Sequence, residues 1–218
     1  MRVRLGLTQT GEAWIALIGV LLGALVVVGA DRLGAATVDD APTRLRSATV
    51  SIWSDGCGQR SGTGVRMANG RILTVSHVVA GGRLTIDGQP LADVTVDPSV
   101  DLAYAEAGSD DPAGLVIASG SPVVGDRVTV AGRSTGSTEI RPAIVTGWVG
   151  PKGPADPPIA MQLDVPASPG DSGGGVVNER GELVGLIYAT EFRTGRALVQ
   201  PVGGIALTRV GTPSVCQR

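Results

Sequence analysis

Aromatic side chains are scarce in this sequence: Phe, Trp and Tyr together make up 3% of its 218 residues. A core must therefore be built from Val, Leu, Ile and Ala. Lys and Arg number 18 against 20 Asp and Glu, with no basic cluster, so nucleic-acid binding has no electrostatic support. With only two cysteines, one histidine and no Cys-x-x-Cys pair, we expect no metal ion and no cofactor.

Short Val-rich runs broken by Gly and Pro are abundant and favour an all-β fold. Six strand candidates lie on each side of a Gly-, Asp- and Pro-rich linker at residues 108–114. We therefore predict two packed six-stranded antiparallel β-barrels, at about residues 47–110 and 115–212, with a short closing helix at 203–210. The candidates are residues 49–53, 64–67, 72–75, 83–87, 92–96, 102–106, 127–131, 140–149, 159–164, 175–178, 183–189 and 197–202.

An uncharged stretch at residues 13–30 reaches the lower limit for a helix that spans a bilayer. Arg2 and Arg4 precede it, so the positive-inside rule places residues 1–12 in the cytoplasm and the rest of the chain outside. We expect a single-pass anchor in the cell membrane. A cleavable signal peptide, and hence a secreted protein, is the alternative, because residues 28–30 are similar to a small-residue cleavage site.

The segments after the apolar stretch are expected to lie outside the cytoplasm. Residues 31–46 are polar and predict a stalk, which leaves residues 47–218 as the extracytoplasmic domain. In an oxidising compartment Cys57 and Cys216 could form a disulfide that ties the C-terminal region to an early loop. Two unpaired thiols are the alternative.

The run Pro-Gly-Asp-Ser-Gly-Gly-Gly at residues 169–175 carries the strongest chemical signal. Glycines on both sides allow Ser172 to turn its hydroxyl outward while neighbouring backbone N–H groups point at the same space, as a nucleophile requires. A Gly-rich turn between two strands is the alternative, since Gly accounts for 33 residues of the chain. A catalytic serine also requires a base and an acid that orients the base.

His77, the only histidine in the sequence, is the candidate base. Imidazole titrates near neutral pH and can accept the proton of a serine hydroxyl. The apolar run at residues 72–76 precedes it, which predicts a base held at the end of a core strand and facing a cleft. A histidine that merely fills a turn is the alternative.

The orienting acid must be a carboxylate, and four aspartates follow His77 at suitable distances: Asp87, Asp93, Asp97 and Asp101. Asp101 is favoured because it begins an alternating segment typical of a strand, whose first residue can point into a cleft. Asp97 lies in an Asp-Pro-Ser sequence and is more simply explained as a turn residue.

Taken together, the motifs resemble the chymotrypsin-like (trypsin-fold) serine peptidases, in the order His, Asp, Ser. The lead-in at residues 62–65 and 70–74, and the serine region at residues 162–185, are similar to the bacterial HtrA-type branch. The resemblance covers about residues 48–210. The three motifs are Thr-Val-Ser-His-Val-Val (74–79), Asp-Leu-Ala (101–103) and Gly-Asp-Ser-Gly-Gly (170–174).

This resemblance implies roles for individual residues. Ser172 would be the nucleophile, His77 the general acid and base, and Asp101 the orienting carboxylate. The backbone N–H groups of Gly170 and Ser172 would form the oxyanion hole. The implied protein is a membrane-anchored, extracytoplasmic serine endopeptidase that acts on proteins or peptides through an acyl-enzyme. A dormant enzyme, or a catalytically silent module that binds peptides or partner proteins, is the alternative.

The same resemblance places the primary substrate pocket between the stretch before the serine and an edge strand. None of the implied residues is acidic, so we expect a small or aliphatic side chain at the cleaved position (P1) rather than Lys or Arg. The implied pocket residues are Pro166, Ala167, Tyr188, Ala189 and Thr190.

Two departures from the family pattern concern activation and regulation. The sequence has no Ile/Val-Val-Gly-Gly start, so a new N-terminus inserting beside Asp171 is not expected. Arg133 and Arg141 are both candidates for the cation that pairs with Asp171 instead. Few residues follow the serine region, so we expect no PDZ domain of the kind usual in HtrA-type enzymes.

Overall fold

The computed structural model describes residues 40–203, except residues 56–59, 81–82, 92–93, 98–99, 109–110, 112 and 151–158. All described residues belong to one compact unit, Val38–Arg218. Within this described part, no helix is both long and apolar enough to cross a membrane. Several predicted features lie outside the described residues, among them the membrane span at 13–30, Cys57, Cys216, and the closing helix after Gly203.

The first half of the described chain forms a seven-stranded antiparallel sheet in the order β5-β4-β1-β2-β3-β7-β6. All six predicted segments overlap a strand, but the described strands form an open sheet rather than a closed six-stranded barrel. The strands are β1 Thr49–Ser54, β2 Arg60–Arg66, β3 Arg71–Thr74, β4 Leu84–Ile86, β5 Gln89–Leu91, β6 Val94–Asp97 and β7 Leu102–Glu106.

The additional strand, β5, gives the sheet seven strands instead of the predicted six. Asp87 and Gly88 connect β4 to β5 with φ of 48° and 82°, as a two-residue hairpin turn requires. Pro90 has no N–H to donate to another strand and is therefore suited to the sheet edge that β5 occupies. The Asp-Gly pair was a readable signal for this hairpin.

The second half forms a closed barrel in the order β10-β13-β12-β11-β8-β9, which confirms the predicted second six-stranded barrel. Its apolar interior is built mainly from Val, Leu, Ile and Ala side chains. The strands are β8 Arg127–Gly132, β9 Glu139–Val149, β10 Ala160–Pro166, β11 Gly175–Val177, β12 Leu183–Thr190 and β13 Arg196–Pro201.

A helix, α1 (Asp40–Ala48), occupies the end of the predicted stalk. Ala41, Leu45 and Ala48 follow helical spacing and form an apolar stripe that is buried in the core. Leu45 is fully buried, so residues 40–46 are part of the folded domain, contrary to the stalk prediction for them. The same core cluster includes residues of both sheets.

Candidate active site

His77 and Asp101 meet because β3 and β7 are neighbouring strands. Thr74, the last residue of β3, pairs with Ala103 of β7. His77 lies three residues beyond Thr74, in the single helical turn α2 (Ser76–Val79), and Asp101 lies two residues before Ala103. Both side chains are therefore at the same edge of the sheet, and His77 Nδ1 is 2.6 Å from Asp101 Oδ2.

The Asp101 carboxylate is held by three donors. Beside the ring of His77, its other oxygen accepts from the Ser76 hydroxyl at 2.5 Å and from the backbone N–H of His77 at 3.0 Å. Burial raises the pKa of Asp101, but the hydrogen bond and electrostatic attraction of His77, with help from Ser76, outweigh it and hold the pKa below its ordinary value. Asp101 is therefore ionised at neutral pH and can stabilise an imidazolium.

The other predicted aspartates are placed differently. Asp87 lies in the β4–β5 turn and pairs with Arg66 at 3.1 Å, and Asp97 ends the edge strand β6. Asp93 lies outside the described residues. In the part of the chain with described coordinates, the carboxylate in contact with the imidazole is that of Asp101.

The serine loop, residues 168–174, approaches the histidine turn across Gly62. A Cβ atom built on Gly62 would lie 2.6 Å from a methyl carbon of Val78, the neighbour of His77, and 3.1 Å from the carbonyl oxygen of Ser172. Real Cβ atoms do not make such short contacts, so glycine is required here. The absence of this side chain allows the loop of Ser172 and the turn of His77 to pack closely together against β2.

The backbone of the serine loop has glycine-dependent conformations on both sides of Ser172. Gly170 and Gly173 have φ of 98° and 85°, a region that other residues rarely adopt. The N–H groups of Gly170 and Ser172 donate to no protein acceptor among the described residues. These are the two groups that the family resemblance implied for an oxyanion hole.

Asp171 is buried, with 1% of its side chain exposed, and it pairs with Arg141. Arg141 Nη2 donates to Asp171 Oδ2 at 3.0 Å, and the backbone N–H groups of Ser134 and Ser168 donate to the two carboxylate oxygens at 3.1 Å each. Arg133 donates instead to residues of its own loop. Of the two candidate cations, Arg141 is therefore the partner of Asp171.

The implied pocket residues lie at the ends of two neighbouring segments. Thr190, at the end of β12, donates its hydroxyl to the carbonyl of Ala167 at 3.1 Å, which joins the strand wall to the stretch before the serine. Pro166 accepts at its carbonyl from Arg141 Nη1 at 3.0 Å. Tyr188 and Ala189 precede Thr190 on β12 and are half-buried.

Two residues of the site were missed by the sequence analysis. Ser76 donates to Asp101, and Thr63 donates to two carbonyl groups of the serine loop. Ser76 could have been noted as a hydroxyl adjacent to His77. Thr63 lies between two glycines in the lead-in motif, a hint that its small side chain is closely packed.

Comparison with known proteins supports a peptidase fold. Residues 62–186, more than half of the chain, match the family model of the trypsin-like peptidase domain. No protein of curated function gives a significant sequence match.

Solved structures of two proteases resemble the chain. The active form of the Rv3671c protease from M. tuberculosis superposes with a TM-score of 0.68 at 25% identity, covering 84% of this chain and 91% of that one. Its inactive form gives 0.63 at 26%, covering 77% and 90%. The HtrA-type protease AlgW with a tripeptide superposes with a TM-score of 0.63 at 23% identity, covering 76% of this chain and 60% of that one. This similarity is one of fold.

Proposed function

The chain belongs to the trypsin-like peptidase family, and from this premise we propose that it is a serine endopeptidase acting through Ser172, His77 and Asp101. The observation that carries the proposal is the 2.6 Å contact between His77 Nδ1 and Asp101 Oδ2, beside the loop of Ser172. Histidine held in this way presents its second nitrogen as a base, which a serine hydroxyl needs in order to attack a carbonyl.

The reaction would proceed through an acyl-enzyme. Asp101 accepts the Nδ1–H bond, so Nε2 of His77 takes the proton of Ser172 as Oγ attacks the scissile carbonyl carbon. The N–H groups of Gly170 and Ser172 stabilise the oxyanion of the tetrahedral intermediate. His77 then passes the proton to the leaving amine, and a water activated by His77 releases the acyl group and regenerates Ser172.

A labelling experiment tests this proposal. A fluorophosphonate probe reacts with a serine that a neighbouring base has activated, so it should label the purified protein and fail to label Ser172→Ala. Ser121→Ala, which removes an exposed hydroxyl in a loop before β8, should be labelled like the wild type. A wild-type protein that binds peptides but resists the probe would favour the catalytically silent module.

The buried ion pair favours an enzyme that needs no proteolytic activation. In this proposal Arg141 supplies, from within the chain, the positive charge that an inserted N-terminus would otherwise bring to Asp171. The serine loop is then ordered without cleavage of the chain.

We also propose that the cleaved position takes a small or aliphatic side chain. The hydrogen bond from Thr190 to Ala167 joins the two implied walls, so the branched side chain of Thr190 would limit the space between them. No acidic residue is among the implied walls to attract Lys or Arg.

Replacing Thr190 with Gly should open this space to large side chains. The ratio of kcat/KM for peptides with Phe against Ala at P1 should rise about 10- to 100-fold, as expected for pocket contacts. Thr190→Ser keeps the hydroxyl and should move the ratio much less. An unchanged ratio in Thr190→Gly, or dominant cleavage after Lys or Arg in a peptide library, would contradict the assignment.

The sequence supports a location outside the cytoplasm for the peptidase. We propose that residues 13–30 anchor it in the membrane with the catalytic domain on the extracytoplasmic side, and that Cys57 and Cys216 form a disulfide there. Secretion after removal of the apolar segment is the alternative.

A further inference from the structure

We propose that Thr63 is a positioning residue that holds the serine loop in the arrangement that leaves the N–H groups of Gly170 and Ser172 available to the oxyanion. This inference deepens the proposed function and rests on it. It assigns a role in transition-state stabilisation to a strand residue of the seven-stranded sheet that does not itself contact the substrate.

Thr63 makes two hydrogen bonds to the serine loop. Its hydroxyl donates to the carbonyl oxygen of Gly170 at 2.7 Å, and its backbone N–H donates to the carbonyl oxygen of Ser172 at 2.8 Å. The residue is fully buried, so water does not compete for these bonds. Thr63 therefore holds the carbonyl groups of Gly170 and Ser172, the residues directly before and after Asp171.

The peptide group between these two anchors is also held. The carbonyl oxygen of Asp171 accepts from the N–H of Gly174 at 2.8 Å, so three consecutive carbonyl groups of the serine loop have a fixed direction. Turning the N–H of Ser172 away from the cleft would break the Gly174 bond. Turning the backbone at Gly170, which has no side chain to restrict its ψ angle, would break the bond from the Thr63 hydroxyl.

Thr63 is in turn fixed by the strand that delivers the catalytic base. The hydroxyl of Thr74 donates to the carbonyl oxygen of Thr63 at 2.7 Å, and Thr74 is buried three residues before His77. A Cβ atom at Gly173 would overlap both the Thr63 carbonyl and the Thr74 hydroxyl. The tight packing keeps the serine loop in register with the histidine turn.

Loss of the Thr63 hydroxyl should act on the transition state rather than on substrate binding. Without that donor the Gly170 carbonyl would turn towards water, because an unpaired carbonyl at this half-buried position is unfavourable. The same peptide group carries the N–H of Asp171, which donates to the carbonyl of Ser168 at 3.0 Å, so the N–H groups of Gly170 and Ser172 on either side would move as the loop readjusts. An interaction made only with the oxyanion is then lost, which lowers kcat and leaves KM nearly unchanged.

The experiment compares Thr63→Val with Thr63→Ser in the full-length protein. Thr63→Val keeps the shape and removes the hydroxyl, and kcat for a peptide substrate should fall about 100-fold, the effect of weakening one oxyanion donor. A peptide boronate, which forms a tetrahedral adduct with the serine, should bind weaker by about the same factor. Thr63→Ser keeps the hydroxyl donor, so its kcat should stay within about threefold of the wild-type value.

Thr49→Val is the matched control. The Thr49 hydroxyl is also buried and also donates to a backbone carbonyl, that of Leu45 at 2.6 Å, but it is bonded to helix α1 rather than to the serine loop. This variant should lower the unfolding temperature and leave kcat unchanged. If Thr63→Val does not fold, Thr74→Val serves instead, with a smaller fall in kcat and an unchanged KM expected.

The possible outcomes distinguish failure of the proposed peptidase function from failure of the positioning role of Thr63. A wild-type protein that neither hydrolyses peptides nor reacts with the fluorophosphonate probe overturns the proposed function, and this inference falls with it. An active wild type with unchanged kcat in Thr63→Val, or in Thr74→Val if Thr63→Val is unfolded, overturns the positioning role alone. An equal fall of kcat in Thr63→Ser and Thr63→Val would also overturn the positioning role, because loss of the hydroxyl would then not be what lowers kcat.

Discussion

Replacing His77 with Ala is expected to lower kcat/KM about a million-fold, and combining it with Ser172→Ala should cost little more. The two side chains act as one unit: without the base, the Ser172 hydroxyl stays protonated and is a poor nucleophile. The residual rate should come from the oxyanion donors alone. Hydrolysis of a chromogenic peptide with a small P1 residue, measured for both single variants and the double variant, checks this non-additivity.

Two aspartate variants complete this test. Asp101→Asn should lower kcat about 10⁴-fold, because an amide cannot stabilise the imidazolium and favours the wrong tautomer of His77. Asp87→Asn removes a carboxylate that pairs with Arg66 in an exposed turn and should keep wild-type activity. Comparable losses in the two variants, or a His77→Ala protein that retains most of its rate, would refute the assigned roles.

Replacing Arg141 with Met is expected to destabilise the folded protein by about 3–5 kcal/mol and to lower activity steeply. Asp171 is 1% exposed, and its charge would lose its cation while its two backbone donors remain. The loop that carries Ser172 would move to rehydrate the carboxylate. Urea unfolding gives the stability change, and kcat of the folded fraction gives the catalytic change.

Arg133→Met provides the comparison for Arg141. Arg133 lies close in sequence to Ser134, one of the donors to Asp171, but its own hydrogen bonds stay within residues 133–138. Its loss should cost about 1 kcal/mol or less. Equal effects of the two arginine variants would show that a general loss of charge, rather than the buried pair, is responsible.

The strands were predictable because their signal is local. Each of the twelve predicted segments overlaps an observed strand, since alternating Val-rich runs bounded by Gly and Pro depend on neighbouring residues. The closure of the first barrel was not predictable in the same way, because closure depends on which strands pair across long stretches of the chain. Helix α1 was missed because its polar composition masked a three-residue apolar stripe that only the tertiary core reveals.

The site was predictable to the extent that its chemistry is limited to few residue types. A single histidine and one serine in a glycine-rich run left little choice. The contacts that hold them depend on long-range packing. The hydrogen bond from the Thr63 hydroxyl to Gly170 spans 107 residues, and the choice of Arg141 over Arg133 depends on the register in which β9 pairs with β8. Local sequence carries no information about such pairings.

Helix α1 has a further consequence for how the domain unfolds. Leu45 belongs to one core cluster with Val50 and Val65 of the seven-stranded sheet and with Val177 and Leu183 of the closed barrel. Side chains that share a single interior cannot lose their packing independently. The two sheets should therefore unfold in one cooperative transition, and local opening that exposes the serine loop without unfolding both sheets should be rare.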